Sequence, residues 1–211
     1  MFTGMVGGFY NFSNWIMRFA YVNLLWIIFT LAGLIIFGVF PATIATFAIV
    51  RKWIRDDTDI PVFKTFWLTY KKAVLNGNIL GLALFIIGFI LYVDFIFLRE
   101  VTSGFLQYMY YPLLLLILLF SLTALYIFPV IAHYEMTFLQ VMKNAFFIMI
   151  MNPPITLLMV VSIIIVFYFF HFIPSLILLC GMSGLAYIIG WLANVAFVKI
   201  QRLAEENSKE V

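Results

Sequence analysis

The stretch FAYVNLLWIIFTLAGLIIFGVFPATIATFAIV, residues 19–50, runs for 32 positions without a charge between Arg18 and Arg51. A helix of about 20 apolar residues crosses the roughly 30 Å hydrocarbon core of a bilayer, so the stretch is more than one crossing long. A first span is expected at about 19–40. Proline removes a helical hydrogen bond, so Gly38-Val39-Phe40-Pro41 should end or kink it, with Ala42 to Arg55 continuing as helix into the membrane interface.

The rest of the chain repeats the pattern. Four further apolar stretches place spans at about 75–98, 109–132, 153–170 and 174–198. Hydrophobic residues make up 66% of the 211 and charged residues 10%, against about 45–50% and 25% in an ordinary soluble domain. A water-soluble globule is excluded. The fold class read from this is all-α: a polytopic membrane bundle of about five spans with short amphipathic interfacial helices. Residues 1–198 form one transmembrane domain, and 199–211 form a charged tail. Arg18 is the one charge in the first 50 residues and no clear A-x-A site follows the first apolar run, so the first span is expected to stay in the mature protein.

Orientation follows from the basic residues. The 51–72 loop carries six Lys and Arg, the 133–152 loop one and the tail three, while Arg18 and Arg99 fall on the other side. Ten against two places the loops and carboxyl terminus inside and the amino terminus outside. If the opening segment, Phe9 to Trp15, lies on the cytoplasmic face instead, one crossing has been miscounted.

The net charge of +3 comes from basic residues spread along membrane boundaries, which fits topology and leaves no footprint for nucleic acid. Cys180 is the one cysteine, so no intrachain disulfide or cysteine-based zinc site can form. No GxxxxGK[ST], GxSxG, HExxH or CxxC occurs. Asp56-Asp57-Thr58-Asp59 lacks the glycine and distal glutamate of an EF-hand loop and reads as a solvated turn. His133 and His171 fall on opposite faces of the bilayer and cannot share a metal. The chain is therefore read as a non-enzyme with no cofactor and no metal.

Interaction residues are more visible. Phe63, Phe66, Trp67 and Tyr70 recur at spacings of three and four, one helical stripe that lies in the headgroup layer or meets a partner. Asp59 ahead of Ile60-Pro61 is the expected start of that helix, and Asn152 caps the helix beginning at Pro153-Pro154. Thr65-Phe66, Lys71 and Ala73 match Thr137-Phe138, Lys143 and Ala145 at an offset of 72 residues, which suggests two copies of a span, loop, span unit. The candidate partner interface is thus Phe63, Phe66, Trp67, Tyr70, Lys71, Phe138, Lys143 and Asn144. Small residues mark close helix packing: Gly77 and Gly81 on the second span, Ser183, Ala186, Gly190 and Ala193 on the fifth. Asn23, Asn78 and Asn194 suit polar contacts between helices. Asp94, near a span end, pairs with Arg99 or reaches the outer interface; alternatively it lines a transport path.

The order Asn23-Leu24-Leu25-Trp26, Gly33, Gly38, Pro41-Ala42-Thr43, Arg51-Lys52-Trp53, Phe66-Trp67, Tyr70-Lys71 and Lys143-Asn144-Ala145-Phe146 resembles the YesL-like family of bacterial integral membrane proteins. Lys72 stands where the family usually has asparagine. The family has no established activity, and the resemblance implies a companion of carbohydrate-uptake ABC importers in the plasma membrane of Gram-positive bacteria. The expected function is a non-enzymatic accessory or scaffold subunit docking on an ABC permease from within the lipid bilayer. The alternative is a small homo-oligomeric transporter with Asp94 and the intramembrane asparagines on its path.

Overall fold

The computed structural model describes residues 2–101, 104–133 and 137–209. Among these residues eight helices follow in order: α1 (Phe2–Ala32), α2 (Ile36–Ile54), α3 (Val62–Glu100), α4 (Phe105–Tyr108), α5 (Tyr110–His133), α6 (Phe138–Met151), α7 (Pro153–Phe172) and α8 (Ser175–Lys209). No strand occurs among the described residues. In hydrocarbon every backbone N–H and C=O must be satisfied within the chain, and a helix does this segment by segment. Among the described residues, six helical segments are long and apolar enough to cross a membrane.

The count differs from five at the opening stretch. Instead of one span over 19–40, a tight turn at Gly33–Ile35 divides it into the antiparallel hairpin of α1 and α2. Pro41 does not end a helix; it lies inside α2. As proline it cannot bond the Phe37 carbonyl four residues back, and Asn78 Nδ2 donates to that carbonyl at 3.0 Å. The turn is possible because Gly33 and Gly38 lack side chains: a Cβ on Gly33 would strike the Gly38 backbone, and one on Gly38 the Thr30 backbone.

The same hairpin corrects the expected placement of Arg18. Its Nη2 lies 3.8 Å from Asp59 Oδ1, and Trp15 meets Trp53 edge-on at 5.8 Å. Residues 15–18 therefore stand beside the 55–61 loop, not across the molecule from it. Asp59 faces Arg18 and does not cap α3, whose N-cap position is Pro61. The interfacial helix expected at 63–72 is continuous with the span at 75–98, and the tail is helical through Lys209.

Two apolar clusters hold the bundle. One joins Val22 and Leu25 of α1 to Ala42, Val50 and Trp53 of α2, Phe66 of α3 and Ala186 of α8. The other joins Tyr126, Ile127 and Val130 of α5 to Val141, Ala145 and Ile148 of α6, Met159 of α7 and Ala193 and Ala196 of α8. Helix α6 is thus packed on α5 along one face. Asn152 has its side chain turned back to Ile148 O at 3.1 Å, closing α6, while Pro153 and Pro154 open α7.

Helix α8 is broken at Cys180 (φ −145°, ψ 19°), and one side chain mends the break. Asn23 Nδ2 donates to Ile177 O (3.1 Å) and Leu178 O (2.8 Å), and its Oδ1 accepts from the backbone N–H of Met182 (2.9 Å) and Ser183 (3.4 Å). A discontinuous membrane helix marks an ion or substrate site when its freed backbone groups face a cavity; here they face a buried amide.

Candidate functional site

The aromatic stripe at the start of α3 divides in two. Phe66 and Tyr70, four apart, are buried: both rings pack on Phe29 of α1, and the Tyr70 hydroxyl donates to Phe29 O at 3.2 Å. Phe63 and Trp67, also four apart, face out at 53% and 37% exposure. Lys71, one turn further, sets its Nζ 4.4 Å over the Trp67 ring, a cation–π contact worth about 0.5–1 kcal/mol at an exposed site. The exposed stripe is therefore Phe63, Trp67 and Lys71, while Phe66 and Tyr70 anchor the helix that carries it.

Helix α6 presents a similar stripe. Leu139 is 75% exposed, Lys143 is exposed, and Phe147, four residues on, lies under the Lys143 ammonium at 5.9 Å. Asn144 is half-buried at the edge of this face, and Ala145 is buried against α5. The Phe138 side chain lies outside the described residues. Val141, Ala145 and Ile148 point inward, so the exposed residues are displaced to the opposite side of the helix. Each helix thus offers an apolar or aromatic residue with a lysine folded over a ring.

The small residues sit where helices approach. A Cβ at Gly77 would lie 3.0 Å from Ile44 Cδ1, and one at Gly81 would collide with the Phe40 ring; both belong to α2. On α8, Gly190 faces Val50 and Ile54, Ser183 Oγ donates to Phe19 O at 2.9 Å, and Ala186 and Ala193 are fully buried. Asn78 bonds α2 and Val74 O of its own helix. Asn194 lines a small cavity, and Asp94 is exposed on the outer face of α3.

One polar cluster escaped the sequence reading. At the ends of α2 and α5, Arg51 Nη1 donates to Ala132 O at 2.6 Å, and Arg55 Nη2 stands 3.2 Å from His133 Nε2. A guanidinium has no acceptor, so the imidazole accepts. Beside them lies a cavity of about 20 Å³ lined by Arg51, His133, Asn194 and Phe197 among others, room for about one water. The signal available was slight: two arginines four apart, and a histidine at the end of a span 78 residues away from Arg55. Cationic groups at helix C-termini complement the exposed carbonyls, so the cluster ties two helix ends together.

Comparison with known proteins bears on the whole assembly. A model of the family described as "Protein of unknown function, DUF624" matches residues 19–95. The chain is 32% identical to the uncharacterized protein YteU of Bacillus subtilis over 98% of its own length and 93% of the relative's. It is 36% identical to the uncharacterized protein YesL of the same organism, over 74% of each chain. The chain belongs to the YesL-like family. A third family member from that bacterium, the uncharacterized protein YesV, is 30% identical over 84% of this chain and 85% of its own. No solved structure matches. The segment covered by the family model, 19–95, contains the turn of the α1–α2 hairpin, all of α2, Asn23 and the Phe63, Trp67, Lys71 stripe of α3, but not α6.

Proposed function

We propose that this YesL-like protein is a non-enzymatic accessory subunit of a carbohydrate-type ABC importer in the bacterial plasma membrane, docking on the permease through the exposed stripes of α3 and α6. The observation that carries the reading is the pairing of lysine with an exposed ring on both helices, at Lys71 over Trp67 and Lys143 over Phe147. Aromatic residues supply most of the energy at interfaces when buried centrally, and the neighbouring lysines favour a partner surface carrying carboxylates. The importer as host rests on what the family resemblance implies. The basic residues support a cytoplasmic placement of both stripes: with Arg18 beside Asp59, eleven of the 12 Lys and Arg fall on one side and Arg99 alone on the other.

Affinity purification in mild detergent tests this. Permease and ATPase should co-purify at stoichiometric level, and Trp67→Ala combined with Lys71→Glu and Lys143→Glu should reduce their recovery about tenfold, as loss of roughly 1.4 kcal/mol would do. Recovery of the unaltered chain without them would defeat the proposal.

A further inference from the structure

We infer that α1 and α2 form a re-entrant hairpin: it enters and leaves the bilayer on one face, and its tip ends inside the hydrocarbon beneath the acyl chains of the opposite leaflet. The chemistry of the tip is the first argument. Leu34, Ile35, Ile36 and Phe37 stand exposed, Leu34 at 78% and Ile36 at 75%. A turn in water is built from glycine, asparagine, aspartate or proline. This one sets Leu34 and Ile35 at positive φ (55° and 65°), which a β-branched residue rarely adopts.

The backbone of the turn is the second. Each N–H from Gly33 through Val39 bonds a carbonyl within the hairpin, and α3 adds Asn78 to Phe37 O and Tyr70 to Phe29 O. Hydrocarbon requires that closure, since an unsatisfied group there costs several kcal/mol. A turn at the water surface does not require it.

Depth is the third. Between Lys72 and Asp94 the α3 helix has an uncharged run, Ala73 to Val93, which at 1.5 Å per residue is about 31 Å, one hydrocarbon core. The hairpin meets this run at Asn78, through Phe37 O at the tip, and at Gly81, through the Phe40 ring about one turn into α2, roughly 8–12 Å from its basic end. From Leu82 to Val93 the helix continues about 18 Å further, paired with α5 through Gly88 against Phe120 and, just beyond, Phe95 against Tyr110. Were the hairpin to cross the whole bilayer, the exposed Phe85, Ile86, Phe89 and Ile90 would project into water. With the tip at mid-depth they face lipid, and the space above the tip, walled by α3 and α5, holds acyl chains.

Single cysteines in a Cys180→Ala chain test the placement. In reconstituted vesicles, the Asp57→Cys and Glu100→Cys chains mark the two faces with a membrane-impermeant maleimide. The Ile36→Cys chain should be modified from neither face and fully in denaturing detergent. A bimane attached there should be quenched several-fold more by phospholipid brominated deep in the acyl chain than by phospholipid spin-labelled at the headgroup. Modification from either face, or stronger quenching from the headgroup, overturns the inference. The Leu34→Cys chain gives the same reading should Ile36→Cys not fold.

Discussion

Single polar side chains hold this apolar molecule at a few points. Asn23 satisfies four backbone groups around the break at Cys180. Leucine there would leave two carbonyls and two N–H groups without their partner, and stability in detergent should fall by about 2 kcal/mol or more. A thermal-melting series reads this as a clear drop in Tm; an unchanged Tm would mean α8 straightens at no cost. Arg51 holds Ala132 O at the end of α5. Arg51→Met should cost about 1.5–3 kcal/mol, the range for a hydrogen bond from a charged donor, measured the same way.

Between elements, contact without side chains is the controlling feature. Helix α2 lies against α3 at Gly77 and Gly81, where Ile44 and Phe40 fill the space a Cβ would take. Gly81→Leu should therefore force the Phe40 ring aside and destabilise by about 1–3 kcal/mol, the usual penalty of overpacking. The exposed Leu82, a neighbour on the same helix, should accept Leu82→Ala within about 0.5 kcal/mol as a surface change. Equal effects at the two positions would show that the α2–α3 approach is looser than described. The same close approach brings Asn78 within reach of Phe37 O, so the helix pairing and the anchoring of the hairpin stand together.

At the scale of the whole molecule, the proposed docking subunit and a transporter differ in what Asp94 should do. Asp94 is exposed on α3, while Asn23 and Asn78 donate to backbone carbonyls of neighbouring helices. On the docking proposal, Asp94→Asn should leave sugar flux through the reconstituted importer, and recovery of the permease, unchanged within about a factor of two. Flux by this chain alone that vanished in the variant would favour the transporter. By contrast, Trp67→Ala should change the melting temperature little, because the ring is partly exposed and Phe66 and Tyr70 carry the packing, yet it should weaken partner recovery.

Composition and charge spacing alone determined that this is a helical membrane protein. Hydrocarbon allows an uncharged stretch of 20 residues few other conformations, and the spans near 109–132 and 153–170 end where their flanking polar residues or Pro153 begin. Gly77, Gly81 and Asn23 were visible as packing residues, since small and amide side chains have few other uses at that depth. Tertiary structure alone decided how the 32-residue opening stretch is divided, because a hairpin turn made of Leu34 and Ile35 carries no polar signature and depends on Gly33 and Gly38 fitting against the opposing backbone. It also decided which aromatics are available. Phe63, Phe66, Trp67 and Tyr70 share one stripe by spacing and all four rings meet Phe29 of α1, but only Phe66 and Tyr70 turn into the cluster formed with α1, α2 and α8, which leaves Phe63 and Trp67 exposed.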